Sequence, residues 1–226
     1  MEIIWLGQAG FLLKKKDFKI MVDPYLSDSV KNMNSKNYRR VGVNEEIFKV
    51  KPDVMIFTHN HLDHYDPETV SHFITDKSKV TVLSPKSVWD DVRKIGGDNN
   101  YVLFNRHTTW TENGIKFTAV KAEHSDDYSI GVIIDDGERK YYITGDTLYN
   151  ENIFDDIPED VYALFLPVNG VGNNMNMVDA SRFAKRINAK KVVPMHIGMF
   201  DEISVDNFDC ENKIVVKIYE EIELWK

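Results

Sequence analysis

Cysteine is almost absent from this chain: Cys210 stands alone among 226 residues. One thiol forms no intramolecular disulfide and excludes zinc sites built from several thiolates. Long apolar runs are missing too. Val161–Val168 is among the longest, far short of the ~20 residues a membrane-crossing helix needs. Basic residues are outnumbered, 28 Lys and Arg against 36 Asp and Glu, for a net charge of −8. A field of that sign argues against capture of nucleic acid or of an anionic membrane. Met1-Glu2-Ile3 lacks the basic stretch of a secretory signal, and linkers rich in Gly, Ser or Pro are missing. The expectation is one cytoplasmic domain over residues 1–226, of a size within roughly 100–250 residues.

Short strand-like runs open the chain at Ile3–Leu6, Gly10–Lys14 and Phe18–Val22, a meander at a sheet edge. Asp23 to about Asn44 is polar and reads as a long loop, a length that in compact domains is often functional. Strand and helix then alternate. Val54–Phe57 and Val80–Leu83 read as strands. Asp66-Pro67 places a capping residue before a helical proline, Ser84-Pro85 repeats the pattern, and Gly96-Gly97 stops the second helix. Ile115–Ala122, Ser129–Asp135 and Lys140–Ile143 read as antiparallel strands, followed by strands Tyr162–Leu166 and Lys191–Pro194. Ala180, Phe183, Ala184 and Ile187 recur at the spacing of one apolar helix face. Ile214–Ile218 and Ile222–Trp225 are expected to close the chain as strands. Two sheets packed together with helices outside fit this order.

What the chain does have is histidine in one place. His59, His61, Asp63 and His64 fall within six positions directly after the strand Val54–Phe57. The next helix starts only at Asp66, so these side chains sit on a strand-to-helix loop, where sites gather. Imidazole and carboxylate suit borderline divalent metals. His59 and His61 can converge on one ion, and Asp63 and His64 reach a second nearby.

His-x-His-x-Asp-His after an apolar strand resembles the signature of the metallo-β-lactamase superfamily, and the order of later candidates agrees along most of the chain. The resemblance implies an α/β fold, a four-layer αββα sandwich of two mixed sheets with helices outside. It implies a third histidine for the first site, a bridging aspartate and a last histidine for the second. His124, Asp146 and His196, each after a strand, stand in those places. His107 competes with His124; the latter is preferred because it closes an apolar strand, and His72 reads as a surface or packing residue.

Trp5–Phe11, Val22–Tyr25, Thr144–Tyr149 and Val192–His196 are similar to the lactonase branch typified by L-ascorbate-6-phosphate lactonase. His61 stands where flavodiiron relatives carry glutamate, which argues against oxygen-reducing iron chemistry. The resemblance implies a hydrolase with two divalent ions, zinc or manganese, whose bound hydroxide cleaves a lactone or related ester of a small molecule, such as a phosphorylated sugar acid. Asp63 is expected to orient the nucleophile as well as bind metal. A small-molecule phosphodiesterase and a mononuclear iron dioxygenase stay open as alternatives, as does homo-oligomerisation.

The residues 25–43 hold Lys31, Lys36, Arg39 and Arg40 with Asp28 as their one acid. They are expected to form a lid in which Arg39 and Arg40 meet an anionic group of the substrate, since guanidinium binds phosphate and carboxylate bidentately. Asn169, Asn173 and Asn174 are expected to supply neutral hydrogen bonds from another side.

Overall fold

A computed structural model describes residues 1–224. Alternation along the first strands decides the architecture. In β2 (Gly10–Lys15), β3 (Phe18–Val22) and β4 (Val54–Ile56), neighbouring residues enter different apolar clusters. Phe11, Leu13, Ile20, Val22, Val54 and Ile56 join one cluster, while Leu12, Met21 and Met55 join the other. Side chains of period two leave a strand on opposite faces, so this sheet is covered on both.

With β1 (Glu2–Gly7), β5 (Thr81–Ser84) and β6 (Asn100–Leu103), these strands form a sheet of order β1-β2-β3-β4-β5-β6. Its first pairings are antiparallel, and from β3 onward they are parallel. One face is covered by α2 (Pro67–Phe73) and α3 (Lys86–Val92), whose Val70, Phe73, Val88 and Val92 pack on Met55, Phe57 and Val82. The other face meets a second six-stranded sheet built from β7 (Thr109–Glu112), β8 (Ile115–Lys121), β9 (Ile130–Asp135), β10 (Lys140–Ile143), β11 (Val161–Pro167) and β12 (Lys191–Met195). Phe11 and Phe165 meet edge to face across the interface, ring centres 4.9 Å apart. The far side of the second sheet is covered by α4 (Met177–Ile187), which buries Ala180, Phe183, Ala184 and Ile187 as its periodicity predicts. The layers are helix, sheet, sheet, helix.

Caps mark the helix starts. The Asp66 carboxylate accepts the amides of Glu68 and Thr69, and the Asn176 side chain accepts those of Val178 and Asp179. Pro85 sits one position earlier than the pattern implies, at the cap of α3, and a short 3-10 turn ends at Gly96, φ +70°.

Three expectations need correction. Two edge strands, β6 and β7, add to the expected set, and both are half exposed. The residues 25–43 are not all loop, since α1 (Ser29–Met33) forms inside them with no buried residue of its own. Ile214–Ile218 and Ile222–Leu224 form no regular strands, and Trp225 lies outside the described residues. Instead the tail runs along both sheet edges through isolated bridges, Val192 to Lys213 and Ile4 to Glu221. Its scattered backbone bonds, such as Ile214 N to Val192 O at 2.8 Å and Ile222 N to Ile3 O at 2.8 Å, cover edges that would otherwise template aggregation. No described helix is long and apolar enough to cross a membrane.

Candidate metal centre

Five strand ends converge because the two sheets face each other with their C-terminal ends together. β3 delivers Asp23, β4 delivers the segment His59–His64, β8 delivers His124, β10 delivers Asp146 and β12 delivers His196. A backbone bond from Ile130 N to Thr58 O, 3.0 Å, ties the sheets at this point. The turn to Asp146 depends on Gly145, at φ +61°: a Cβ there would lie 2.9 Å from both the Thr58 Cβ and the Ile130 carbonyl. Gln8, Asp23 and His196 also carry positive φ, which for side-chain-bearing residues concentrates at functional sites.

The side chains that these ends present form three overlapping groups of nitrogen and oxygen atoms within 4.8 Å: His59 with His61 and His124; His59 with His64 and Asp146; Asp63 with His64 and His196. All seven sequence-derived candidates therefore come together. His107 does not; it is exposed, 3.1 Å from Asp156. His72 stacks on Phe48 with ring centres 4.2 Å apart.

Proton positions follow from the surrounding bonds. Asp23, fully buried, accepts the Thr58 amide (2.8 Å) and the Thr58 hydroxyl (2.6 Å). Its Oδ2 also accepts from His64 Nδ1 at 2.8 Å, an ion pair when His64 is charged. Because the Thr58 hydroxyl proton is committed to Asp23, His59 Nδ1, 3.0 Å away, must donate to the hydroxyl oxygen. Both Nδ1 atoms are then protonated, and both Nε2 atoms of the neutral rings turn lone pairs inward. His59 Nε2, His64 Nε2 and Asp146 Oδ1 are buried with no hydrogen-bond partner. His64 Nε2 and Asp146 Oδ1 lie 3.2 Å apart, two acceptors face to face. His61 Nδ1 and His124 Nε2 likewise stand 3.1 Å apart. Such convergence is favourable only around protons or a cation, so the donor set fits divalent metal.

The electrostatics agree. Burial drives His59 well below the usual histidine range, and it also lowers His124. Burial opposes charge at His64 and His196 as well, but there the Asp146 and Asp63 carboxylates outweigh it, raising His64 strongly and His196 to about 10. Asp63 and Asp146 are held far below the ordinary carboxylate range; burial is outweighed by His64 and His196. Without metal, protons on His64 and His196 thus balance the acids. Those raised histidines stabilise the metal-free fold fully below the unfolded value near ~6.5, and that contribution is lost as pH rises through about 10. Ligand imidazoles must be neutral, so loading metal at pH 8 is expected to release protons to the medium. Calorimetric titration in two buffers of different ionisation enthalpy reads the sign, and proton uptake would contradict the site.

Supporting residues complete the centre. Gln8 Nε2 donates to Asp63 Oδ2 (2.8 Å), Asn174 Nδ2 donates to Asp146 Oδ2 (2.8 Å), and Asn169 Nδ2 lies 3.0 Å from His196 Nδ1. The Asn173 carbonyl faces His124 Nδ1 at 3.2 Å. Gln8, Asp23 and Thr58 were not identified as site residues from sequence. Gln8 and Asp23 lie in the lactonase-like motifs and carry positive φ, whereas Thr58 shows its role only through its hydroxyl contacts with Asp23 and His59.

A cavity of about 490 Å³ opens over the cluster, lined by His61, Asp63, Asp146 and His196 and by Asn169 and Asn173. Val30 and Asn37 of the early segment reach it, but Arg39 and Arg40 do not. Arg39 donates to the Tyr25 carbonyl and the Tyr219 hydroxyl, and Arg40 lies over the Tyr38 ring with Glu202 beside it. The buried anchor of Tyr25 and the tail takes Arg39 away from the cavity, so the expected substrate role of both arginines is corrected. A larger groove of about 570 Å³ between α4 and the C-terminal segment holds no histidine.

Fold and cluster together define the class: a metal-dependent hydrolase on an αββα sandwich. A family model described as a beta-lactamase superfamily domain matches residues 2–196. A UPF0173 metal-dependent hydrolase of Thermoplasma acidophilum is 30 % identical over 219 residues, 91 % of this chain and 87 % of that one. The structure of a metallo hydrolase from Ignicoccus hospitalis has a TM-score of 0.77 at 19 % identity, covering 98 % of this chain and 97 % of that one. An isothiocyanate hydrolase from Delia radicum gut bacteria has a TM-score of 0.71 at 16 % identity, covering 98 % of both chains. The chain belongs to the metallo-β-lactamase superfamily, among its UPF0173 metal-dependent hydrolases.

His124 and His107 separate cleanly by experiment. His124→Ala is expected to lower metal retention against a chelator, whereas His107→Ala is expected to retain metal, because its ring faces Asp156 at the surface. Loss on His107→Ala alone would move the ligand assignment.

Proposed function

We propose that the protein hydrolyses a lactone or related ester of a small molecule; His59, His61 and His124 would hold one divalent ion and Asp63, His64 and His196 a second, with Asp146 a shared ligand. The carrying observation is the set of buried, unpartnered lone pairs directly beneath an open cavity. When bound, zinc or manganese supplies a water ionised near neutral pH and a Lewis acid for the substrate oxygen. The chain's own residues do the rest. Asp63 lines the cavity and is partly exposed, so its carboxylate orients the attacking water and accepts its proton. The water oxygen bonds to the acyl carbon, the ester C–O bond breaks, and the proton passes from Asp63 to the departing alkoxide. Asn169 and Asn173 hydrogen-bond the substrate from the side. The lactonase-like motifs around Gln8 and Asp23 support this reading, because both residues hold parts of the cluster.

Metal analysis of protein purified without added metal, followed by assay on lactones and phosphoesters, tests it. Two equivalents of zinc or manganese per chain are expected, with lactone turnover that chelation abolishes and metal restores. One iron per chain with oxygen consumption would favour a dioxygenase. Turnover of phosphodiesters alone would favour the phosphodiesterase alternative.

A further inference from the structure

Among the described residues, no lysine or arginine lines the cavity over the cluster. Its roof is apolar: Val30 from α1, Val171 after β11, and Phe200 and Ile203 after β12. Neutral amides occupy the remaining wall at Asn37, Asn169 and Asn173. The one charged residue outside the cluster is an acid, Asp201. Its Oδ1 accepts the amides of Gly198 (3.0 Å) and Ile203 (2.9 Å), so the turn that presents Phe200 and Ile203 is built around it.

The roof is tied down rather than loose. Phe200 meets Tyr25 edge to face, ring centres 5.7 Å apart, and Val30 N donates to the Tyr25 hydroxyl at 3.3 Å. Arg39 clamps the Tyr25 carbonyl from the other side. Arg39 therefore holds the roof from outside, and no cation of this segment lines the cavity.

Charge counting gives the same direction. Two divalent ions would bring four positive charges. Asp63, Asp146, Asp201 and one ionised water cancel them, leaving no net field for an anion. A charged substrate group would lose hydration against the half-buried Val30, Phe200 and Ile203 without gaining a counter-ion, which is costly.

We infer that this cavity selects an uncharged ester or lactone bearing a short apolar arm, with Phe200 contacting that arm and Asp201 turning anions away. The inference rests on the hydrolase reading above and adds the substrate class to it.

The test compares a lactone carrying a short alkyl arm with the same lactone ending in a carboxylate, using metal-loaded protein. Wild type is expected to favour the alkyl lactone at least ~10-fold in kcat/KM, the scale of small changes in an apolar pocket. Asp201→Asn keeps the acceptor for Gly198 and Ile203, and it is expected to narrow that gap by improving the carboxylated substrate. Phe200→Ala is expected to cost the alkyl lactone about 10-fold or more while affecting an unsubstituted lactone less. A second readout needs no turnover. Calorimetric binding of the matching lactams, which resist hydrolysis, is expected to be at least ~10-fold tighter for the alkyl lactam than for its carboxylated partner. Equal or tighter binding of the carboxylated lactam overturns the inference, as does equal loss on both lactones in Phe200→Ala. If no ester is turned over while the alkyl lactam still binds selectively, the proposed reaction fails and the selectivity stands.

Discussion

Replacing Asp146 by Asn is expected to remove most metal from one position and to cut kcat by at least ~10²-fold, beyond the ~10–100-fold typical when only a ligand's supporting partner is lost. The side chain stays the same size, so packing around Gly145 and Thr58 is kept. The charge is what changes. Asp146 Oδ1 faces His64 Nε2 at 3.2 Å, and Oδ2 faces His196 Nε2 at 3.1 Å while accepting from Asn174 at 2.8 Å. An asparagine keeps one acceptor oxygen and turns an NH2 toward the other partner, where it competes with a cation. Burial magnifies the loss, because the site excludes the water that would otherwise compensate. Metal content by elemental analysis and kcat on the best hydrolysed substrate check this. Wild-type values of both would remove Asp146 from the centre.

Asp23→Asn is the second large effect, and it acts without touching a metal. Asp23 accepts three hydrogen bonds and sets the tautomers of His59 and His64 together. An amide nitrogen at Oδ2 donates where the carboxylate accepted. His64 Nδ1 must then become the acceptor, which moves its proton to Nε2 and blocks the lone pair aimed at the centre. Metal affinity is expected to fall ~10–100-fold, with folding retained because the replacement is isosteric. Chelator competition measures the affinity, and nitrogen-detected NMR of the imidazoles reads the tautomer. Unchanged affinity with an unchanged His64 tautomer would make Asp23 a packing residue only.

The two variants separate what is local in this protein from what is not. His59, His61, Asp63 and His64 are legible in a linear reading because the loop itself brings them together within six positions. His124, Asp146 and His196 are each a single residue after a strand, and alone they resemble any turn. They acquire meaning from the order of a known family, and the structure brings them to the same few ångströms. Asp23 closes a strand just as visibly. Its role stays hidden in a linear reading because its partners, Thr58 and His64, both belong to the loop after the neighbouring parallel strand β4. Arg39 and Arg40 show the opposite error. A local excess of cations in residues 25–43 looked like an anion clamp, yet Tyr25 and Tyr219 claim Arg39 and Tyr38 stacks under Arg40.

By itself, the sequence determined the features that one segment can carry: the cap at Asp66, the apolar face of α4, and the metal-ligating character of the loop after β4. These follow from period, local hydrogen bonding and ligand chemistry, none of which needs a distant partner. The tertiary structure alone decided which strand ends face each other, and hence which lone pairs are buried without partners and which way the arginines point. It also decided the tail, whose alternating Ile214, Val216 and Ile218 read as a strand but pair only at isolated bridges with β1 and β12. The reason is common to all of these. Pairing and charge compensation depend on what lies across a gap, and that neighbour is set by the order of strands in the two sheets rather than by the residues on either side.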